Sequence, residues 1–372
     1  MKGIFISTIE VYKLLIPLIE PFVISLGPVD NAESVIVIIK TKDGITGCGE
    51  CSPYTMINGE TIDTCFIVAR YLGKELIGAN ALDTEGCSEM MDKTIYGNTS
   101  IKSAFDMAIY DIASQHAGLP LYQYLGGEKN KILTTDMTVS IGEPGKMKAD
   151  ALKFKQQGFP AIKVKLGENK SIDVQRIKGI REAIGPDIPL RIDANQGWST
   201  AETAIEILQA LSSYNIEHCE EPIPRWRFME LNKVSAASPI PIMADESCGD
   251  EHDAERLIQL NACSMFNIKL GKSSGFYKAM KIIDMASKAN MHLQIGGFME
   301  SRLGMTASAH LALTNDCIIH CDFDTPLMFT EDPVLGGIIY KPGGIIEVPE
   351  VPGLGAVIEE SYLQKTERMI IN

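Results

Sequence analysis

Eight short apolar runs, each followed by a longer amphipathic segment, constrain the fold of this chain more than any other feature. The alternation begins after Gly126 and Gly127. Short apolar runs separated by helix-like segments are typical of parallel βα units. Units of this kind close most simply into a (β/α) barrel, so we assign the chain to the α/β class. The runs are TTDMTVSI, AIKVK, PLRID, IEHCE, PIMAD, MFNIK, HLQIG and IIHCD.

The regions on either side of the barrel pattern differ from it. Residues 1 to about 55 alternate apolar and polar side chains, and the KDG of residues 42–44 predicts a hairpin. Helical periodicity follows up to about Gln123. We therefore predict an α+β capping domain over 1–126, a barrel over 127–332, and a C-terminal segment over 333–372 that returns to the capping domain.

Charge and composition exclude several classes of protein. The net charge of −14 comes from 48 acidic and 34 basic residues, and the sequence has no basic run, so we expect no nucleic-acid partner. No stretch reaches the ~18 apolar residues of a membrane span, and we expect a cytoplasmic protein without membrane contact. Cys48 and Cys51 form a lone CxxC without a second pair, which argues against zinc.

The last residue of each run carries the chemical information. Lys165, Asp193, Glu220, Asp245, Lys269, Gly296 and Asp322 follow one another at intervals of one βα unit. Barrel active sites lie at the carboxyl ends of the strands, so these residues should share one cavity. Three carboxylates at adjacent strand ends would repel one another unless a cation joins them. Hard oxygen ligands favour Mg²⁺, and we predict Asp193, Glu220 and Asp245 as its ligands.

Two lysines in the second run lie on the same face of their strand. Lys163 and Lys165 are two positions apart, and at roughly 5 Å their repulsion is about 3 kcal/mol. This predicts a lowered pKa for Lys165, with the neutral base accessible near pH ~8. Lys269 should face the cavity from the other side of the metal, and Lys163 should bind an anionic substrate oxygen. The alternative is that these lysines only neutralise the acids.

The motifs that carry these residues resemble the enolase superfamily, and within it the muconate lactonizing enzyme subgroup. They are KVK, RIDANQGW, CEEP, ADES and NIKLGKSSG. The resemblance implies a modified (β/α)7β barrel with a capping domain. It also implies that Mg²⁺ chelates a substrate carboxylate and that Lys165 and Lys269 act as bases on opposite faces of an enediolate. Such a pair allows 1,1-proton transfer. A shift of metal ligation to Glu221 or Glu246 stays open.

The last run separates the reactions that share this frame. Asp322 and Asp324 lie on one face at the rim, where they would bind an ammonium group. This DxD resembles the ammonium-binding motif of the dipeptide epimerases, and Gly296 begins a loop similar to theirs. The alternatives are o-succinylbenzoate synthase, muconate cycloisomerase and N-acylamino acid racemase. Outside this frame, a metal-stabilised binding barrel and a Schiff-base aldolase using Lys165 also stay open.

Substrate preference is expected from the capping domain. The Ala-Glu epimerases that this chain resembles use a basic residue in the loop after about position 20, but residues 18–31 contain no Lys or Arg. We therefore predict a hydrophobic dipeptide that is inverted at its C-terminal residue. Ile24, Met56 and Ile57 would form the apolar pocket, although they could equally be domain-interface core. We further expect a homo-oligomer.

Overall fold

The computed structural model describes residues 3–372, and it confirms an α/β barrel with an α+β capping domain. The capping domain begins with an antiparallel sheet whose strands lie next to one another in chain order. The tight turn between the second and third strands follows Thr41, as the KDG sequence predicts. The strands are β1 (Ile6–Ile24), β2 (Gly27–Thr41) and β3 (Thr46–Cys51).

The hairpin of β1 and β2 reaches across to the barrel. We expected a loop around residues 18–31, and that expectation is wrong, because β1 runs to Ile24 and β2 begins at Gly27. The hairpin tip is held by barrel residues: Ser25 Oγ donates to the Asn195 carbonyl at 2.6 Å, and the Val23 N–H donates to Ser140 Oγ at 2.7 Å. The tip therefore forms part of the cavity wall described below.

Three helices complete the first part of the capping domain, and a short fourth helix leads to the barrel. The third helix is buried along most of its length, because its small and apolar residues pack against β3 and the other helices. Gly47 and Gly49 permit that close approach, since a Cβ at either position would lie 2.1 Å or less from a backbone oxygen of the helix. The helices are α1 (Ile62–Leu76), α2 (Thr84–Thr94), α3 (Thr99–Ala117) and α4 (Leu121–Tyr124).

The barrel sheet contains all eight predicted runs. Its strands are parallel and adjacent in chain order, and one parallel bridge between Thr135 and Cys321 joins the first strand to the last. A two-residue strand, β4 (Leu133–Thr134), precedes them. The barrel strands are β5 (Met137–Val139), β6 (Ile162–Lys165), β7 (Leu190–Asp193), β8 (Ile216–Glu220), β9 (Ile242–Ala244), β10 (Met265–Ile268), β11 (His292–Ile295) and β12 (Ile318–Cys321).

Amphipathic helices surround these strands and bury their apolar faces against them. The apolar core of the barrel is continuous with side chains of β1 and β2, whereas a second apolar core lies between the capping sheet and its helices. Among residues 3–372, no helix is long and apolar enough to cross a membrane. The barrel helices are α5 (Pro144–Gln156), α6 (Lys170–Ile184), α7 (Ala201–Leu211), α8 (Phe228–Ala237), α9 (Glu251–Gln259), α10 (Phe276–Lys288) and α11 (Arg302–Ala312).

Two buried carboxylates of the capping domain fix it to helix N-termini of the barrel. Asp106 of α3 accepts the Phe276 N–H at the start of α10, whose own N-cap residue, Gly275, has no side chain to do so. Glu50 of β3 accepts the N–H groups of Ser301 and Gly304 at the start of α11, at 2.8 and 2.9 Å. Capping from another domain satisfies orphan helix donors and sets the angle between the domains.

The C-terminal segment returns to the capping domain, as predicted. It first adds two short strands beside β4 and packs against α11, and its last strand then pairs antiparallel with β1. The capping sheet is thus built from both ends of the described chain. The remaining elements are β13 (Val334–Gly336), β14 (Ile339–Lys341), β15 (Ile345–Glu347), β16 (Ala356–Ile358), β17 (Arg368–Ile371) and α12 (Glu360–Leu363).

Candidate active site

Five of the predicted residues meet at the carboxyl ends of neighbouring barrel strands. Strands β6 to β10 are consecutive in the sheet, so the two lysines lie on either side of the three acids. All five side chains are buried. Buried charges are tolerated only when they are paired, and the contacts below show how each is paired. The residues are Lys165, Asp193, Glu220, Asp245 and Lys269.

Asp193, at the end of β7, is held by its neighbours on both oxygens. Lys165 Nζ lies 2.6 Å from Oδ2, and the Asn195 N–H donates to Oδ1 at 2.8 Å. Lys163 Nζ is 3.4 Å from Oδ2. Burial alone would raise the pKa of Asp193, but the two lysines outweigh it and lower the pKa below its usual range. Asp193 is therefore ionised at neutral pH.

Glu220, at the end of β8, is similarly surrounded by donors. Lys163 Nζ lies 2.8 Å from Oε2, and Asn267 Nδ2 donates to Oε1 at 2.8 Å. Gln294 Nε2 makes a longer contact of 3.3 Å to Oε2. Burial and Asp193 would raise the pKa of Glu220, yet the lysines lower it overall. A second anionic oxygen donor therefore stands beside the first.

Asp245 follows β9 and contacts two lysines. Lys269 Nζ lies 2.6 Å from Oδ2, and Lys272 Nζ lies 2.5 Å from Oδ1. Glu221 braces this segment, because its Oε2 accepts the Asp245 N–H at 2.7 Å. Glu246 accepts from Asn195 Nδ2 at 3.2 Å. Glu221 is thus occupied with backbone donors, which favours a supporting role over metal ligation.

The donor set suits a hard divalent cation. Three buried carboxylates lie at the ends of adjacent strands, and carboxylate oxygens are the ligands that Mg²⁺ prefers. Within residues 3–372, however, this triad is not among the groups whose ligand atoms all lie within 4.8 Å of one another. Its oxygens are instead paired with the ammonium groups of Lys165, Lys163 and Lys269. Metal binding therefore requires these lysines to release oxygens that they contact in this structure.

Lys163 corrects the electrostatic argument made from the sequence. The lowered pKa predicted for Lys165 took into account only the repulsion between Lys163 and Lys165. Lys163 Nζ in fact lies 2.8 Å from both Glu220 and Asp322. Burial would lower the pKa of Lys163, but the carboxylates around it raise the pKa well above its ordinary value. Lys269 behaves in the same way, because Asp245 and Glu220 outweigh burial and raise its pKa. These carboxylates hold both lysines protonated.

A cavity lies over the lysines, and both barrel and capping-domain residues line it. Two phenyl rings cover the two bases: Lys165 Nζ lies 5.9 Å from the ring centroid of Phe22, and Lys269 Nζ lies 5.1 Å from that of Phe298. The other lining residues include both apolar side chains and polar or charged ones. The lining includes Ile24, Val29, Tyr54, Ile57, Thr138, Asn195, Gly297, Met299, Asp322, Asp324 and Thr325.

Of the residues predicted to bind the substrate through apolar or backbone contacts, only some line the cavity. Ile24 and Ile57 line the cavity, whereas Met56 is 58% exposed and lies in a neighbouring surface groove. Gly296 lies behind the wall, where a Cβ would come within 2.9 Å of Asn267 Oδ1. Gly297, not Gly296, is the glycine of this loop that lines the cavity. Gly296 thus leaves room for the amide that holds Glu220.

Both aspartates of the DxD sequence line the cavity. Asp322 Oδ2 accepts from Lys163 Nζ at 2.8 Å, and Asp324 Oδ2 accepts the Thr138 N–H at 2.6 Å. Burial would raise the pKa of Asp322, but Lys163 and Lys165 hold it well below its usual range. The ionised Asp322 carboxylate therefore lines the same cavity as Lys165 and Lys269.

Sequence reasoning missed the layer of polar residues beneath this site. Arg191 of β7 binds Asp136 at 2.9 Å and His320 Nδ1 at 2.7 Å inside the barrel. Lys272 was also missed, although it lies three residues after Lys269. A signal was available, because Asp136 and Arg191 each lie in an apolar run. Asp136 is two positions before Thr138, which lines the cavity, and Arg191 is two positions before the predicted metal ligand Asp193.

Comparison with known proteins agrees with this architecture. Residues 7–126 match the N-terminal domain of mandelate racemase and muconate lactonizing enzyme, and residues 146–362 match the enolase C-terminal domain-like family. A D-Ala-D/L-Ala epimerase of Cytophaga hutchinsonii is 57% identical over 99% of this chain and 100% of its own. A hydrophobic dipeptide epimerase of Enterococcus faecalis is 39% identical over 94% of this chain and 99% of its own.

Solved structures give the same result. The Cytophaga hutchinsonii dipeptide epimerase, complexed with Mg and D-Ala-L-Val, superposes with a TM-score of 0.98 and covers 99% of this chain and 100% of its own. The Enterococcus faecalis enzyme, complexed with Mg and L-Leu-L-Tyr, is 38% identical, with a TM-score of 0.92 and coverage of 95% and 99%. The chain therefore belongs to the mandelate racemase and muconate lactonizing enzyme family of the enolase superfamily.

Proposed function

We propose that this protein is a Mg²⁺-dependent dipeptide epimerase that inverts the α-carbon of the C-terminal residue of a hydrophobic dipeptide. One observation carries the proposal. Two buried lysines, Lys165 and Lys269, flank three carboxylates at adjacent strand ends, and both lysines line one cavity whose wall also holds Asp322 and Asp324. The relatives above act on dipeptides or were solved with Mg and a dipeptide bound.

The lysines explain how a proton can leave one face and return to the other. When bound by Asp193, Glu220 and Asp245, magnesium supplies Lewis-acid stabilisation of the charge that develops on the substrate carboxylate. Lys165 and Lys269 hold and exchange protons at Nζ on opposite sides of the α-carbon. The rings of Phe22 and Phe298 lie beside these ammonium groups. Proton return from the second lysine inverts the centre.

Asp322 and Asp324 would fix the other end of the substrate. A free dipeptide has an α-ammonium group, and charge-assisted hydrogen bonds to carboxylates are about twice as strong as neutral ones. Muconate and o-succinylbenzoate substrates have no ammonium group, so the same pair would only repel them. The pair therefore favours a dipeptide over these substrates and over an N-acylamino acid. A binding barrel would need neither Lys165 nor Lys269.

The apolar wall supports a hydrophobic side chain on the substrate. Phe22, Ile24 and Val29 from the β1–β2 hairpin and Ile57 from the next capping loop line the cavity. No Lys or Arg of the hairpin tip is present to meet an acidic side chain. The names of the two relatives, one acting on Ala dipeptides and one on hydrophobic dipeptides, agree with this preference.

The test is α-proton exchange in D₂O, followed by NMR, with a dipeptide library and Mg²⁺ present. We expect epimerisation of small and hydrophobic dipeptides, and much slower reaction of Ala-Glu. Asp322→Asn should raise KM for dipeptides strongly, whereas Asp316→Asn, an exposed aspartate elsewhere, should not. Absence of exchange with every dipeptide would refute the proposal. The cytoplasmic location and the homo-oligomer inferred from the sequence stay predictions.

A further inference from the structure

A third aspartate lies directly behind the DxD pair. Asp136 immediately precedes β5 and is buried, with only 1% of its surface exposed. One oxygen from each of Asp136, Asp322 and Asp324 lies within 4.8 Å of the other two. Asp322 and Asp324 line the cavity, and Asp136 lies in the layer beneath them. Three carboxylates thus converge where two were predicted from the sequence.

Each of these carboxylates is anchored by a different donor through one oxygen. Lys163 Nζ donates to Asp322 Oδ2 at 2.8 Å, Arg191 donates to Asp136 Oδ2 at 2.9 Å, and the Thr138 N–H donates to Asp324 Oδ2 at 2.6 Å. These anchors fix the orientation of all three groups. The remaining oxygens are therefore presented in a defined direction.

Two of the remaining oxygens are unpaired although they are buried. Asp136 Oδ1 and Asp324 Oδ1 accept no hydrogen bond from any residue in the range 3–372. Buried acceptors are nearly always satisfied, so two unpaired oxygens within one cluster indicate a donor that arrives with a ligand. Burial, and then Asp322, raise the pKa of Asp136 to about 7, and the same effects raise the pKa of Asp324. Lys163 and Arg191 therefore do not fully compensate the burial and mutual repulsion of the three carboxylates.

The chemistry of the cluster favours an ammonium group over a metal ion. Lys163 and Arg191 already contact two of the carboxylates, so a divalent ion would stand beside two fixed positive charges. A primary ammonium carries one charge and three N–H donors, which matches three carboxylates. The open side of the cluster faces the cavity that holds Lys165 and Lys269.

We propose that Asp136 is a specificity-determining residue, because its carboxylate completes a three-aspartate subsite that selects a primary ammonium group over a neutral amino terminus. This inference deepens the proposed function and rests on it. Asp322 and Asp324 alone would accept the ammonium of any amine that fits. The third negative charge beneath them increases the discrimination against substrates whose amino terminus is uncharged.

The test compares a dipeptide with a matched neutral ligand. In 2-methylpropanoyl-alanine a methyl group replaces the ammonium of Ala-Ala. We expect Asp136→Asn to raise KM for Ala-Ala by about 10- to 100-fold, the range for loss of a charge-assisted contact, with kcat changed far less. The inhibition constant of 2-methylpropanoyl-alanine should stay within about threefold of the wild-type value. Asp136→Glu should restore part of the selectivity.

Glu217→Gln is the matched control, because Glu217 also binds Arg191, at 2.9 Å, but does not belong to the cluster. It should leave both constants unchanged. The proposal is wrong if Asp136→Asn changes KM for Ala-Ala and the inhibition constant of 2-methylpropanoyl-alanine by the same factor. It is also wrong if Glu217→Gln reproduces the effect of Asp136→Asn. Should the asparagine variant not fold, Asp136→Ser gives the same comparison. A wild-type protein inactive on every dipeptide would instead refute the proposed function, so the two failures are distinguishable.

Discussion

Replacement of Lys269 by methionine tests whether Asp245 belongs to a metal site. Lys269 Nζ lies 2.6 Å from Asp245 Oδ2, and both side chains are buried. Removal of one partner from a buried ion pair costs about 3–5 kcal/mol. Lys272 still contacts the other oxygen of Asp245 at 2.5 Å, so we expect a loss near the lower limit, about 3 kcal/mol, in the free energy of unfolding without Mg²⁺.

With Mg²⁺ present the loss should shrink, because a bound cation replaces the missing charge. By linkage, the difference between the two losses equals RT times the logarithm of the ratio of Mg²⁺ dissociation constants of wild type and variant. If removal of the competing ammonium tightens Mg²⁺ binding tenfold, the loss shrinks by about 1.4 kcal/mol. Urea unfolding with EDTA or saturating Mg²⁺, together with calorimetric titration of Mg²⁺, measures both sides of this equality.

Lys288→Met is the control, since Lys288 pairs with Asp284 on an exposed helix face. Its effect should stay within about 0.5 kcal/mol in either condition. An equal loss for Lys269→Met with and without Mg²⁺ would refute the reasoning and remove Asp245 from the metal site.

Three further outcomes follow from the geometry. Lys165→Met and Lys269→Met should each abolish epimerisation. Each variant should still exchange the α-proton of one epimer in D₂O, and the two variants should act on opposite epimers. A variant that exchanges the α-proton of neither epimer would contradict a two-base site. Burial lowers the pKa of His310 to about 4, so its stabilisation, about 3 kcal/mol, is complete above pH ~6.5 and is lost as the pH falls to ~4. Urea unfolding should therefore show a shallower pH dependence for His310→Gln, and parallel curves would disprove this assignment. Ile24→Arg places a cation in the cavity wall and should raise kcat/KM for Ala-Glu relative to Ala-Leu by about tenfold or more, as measured by NMR exchange rates; an unchanged ratio would show that Ile24 does not meet the substrate side chain.

The barrel could be predicted from the sequence because buried parallel strands give short apolar runs that local pattern alone identifies. The β1–β2 hairpin could not. Pro17, Pro21 and Pro28 interrupt it, and proline normally argues against a strand. The hydrogen bonds that hold the tip come from barrel residues more than 100 positions away, such as Ser140 and Asn195. Pairings of this kind leave no local signal in the sequence.

The residues of the candidate site likewise fall into those that the sequence predicted and those that it missed. Residues at strand ends were predicted because barrel topology brings every strand end to one face. Asp136 and Arg191 were missed because only the ends were considered, although they lie one layer deeper on the same faces. The repulsion argument for Lys163 and Lys165 was incomplete for a related reason, because it left out the carboxylates around Lys163. A charge in such a site is set by all its neighbours, and Glu220 and Asp322 act on Lys163 more strongly than Lys165 does.

The neighbours of the lysines also suggest where a neutral base originates. In this structure four carboxylates are balanced by four lysines, and the carboxylates raise the pKa of Lys163 and Lys269. A divalent cation adds two positive charges to this balanced set, and a dipeptide, whose carboxylate and ammonium groups cancel, leaves that excess unchanged. Loss of a proton from one lysine reduces the excess, so an occupied site favours the neutral amine that a base requires. Repulsion between lysines is then unnecessary. The balanced set consists of Asp193, Glu220, Asp245, Asp322, Lys163, Lys165, Lys269 and Lys272.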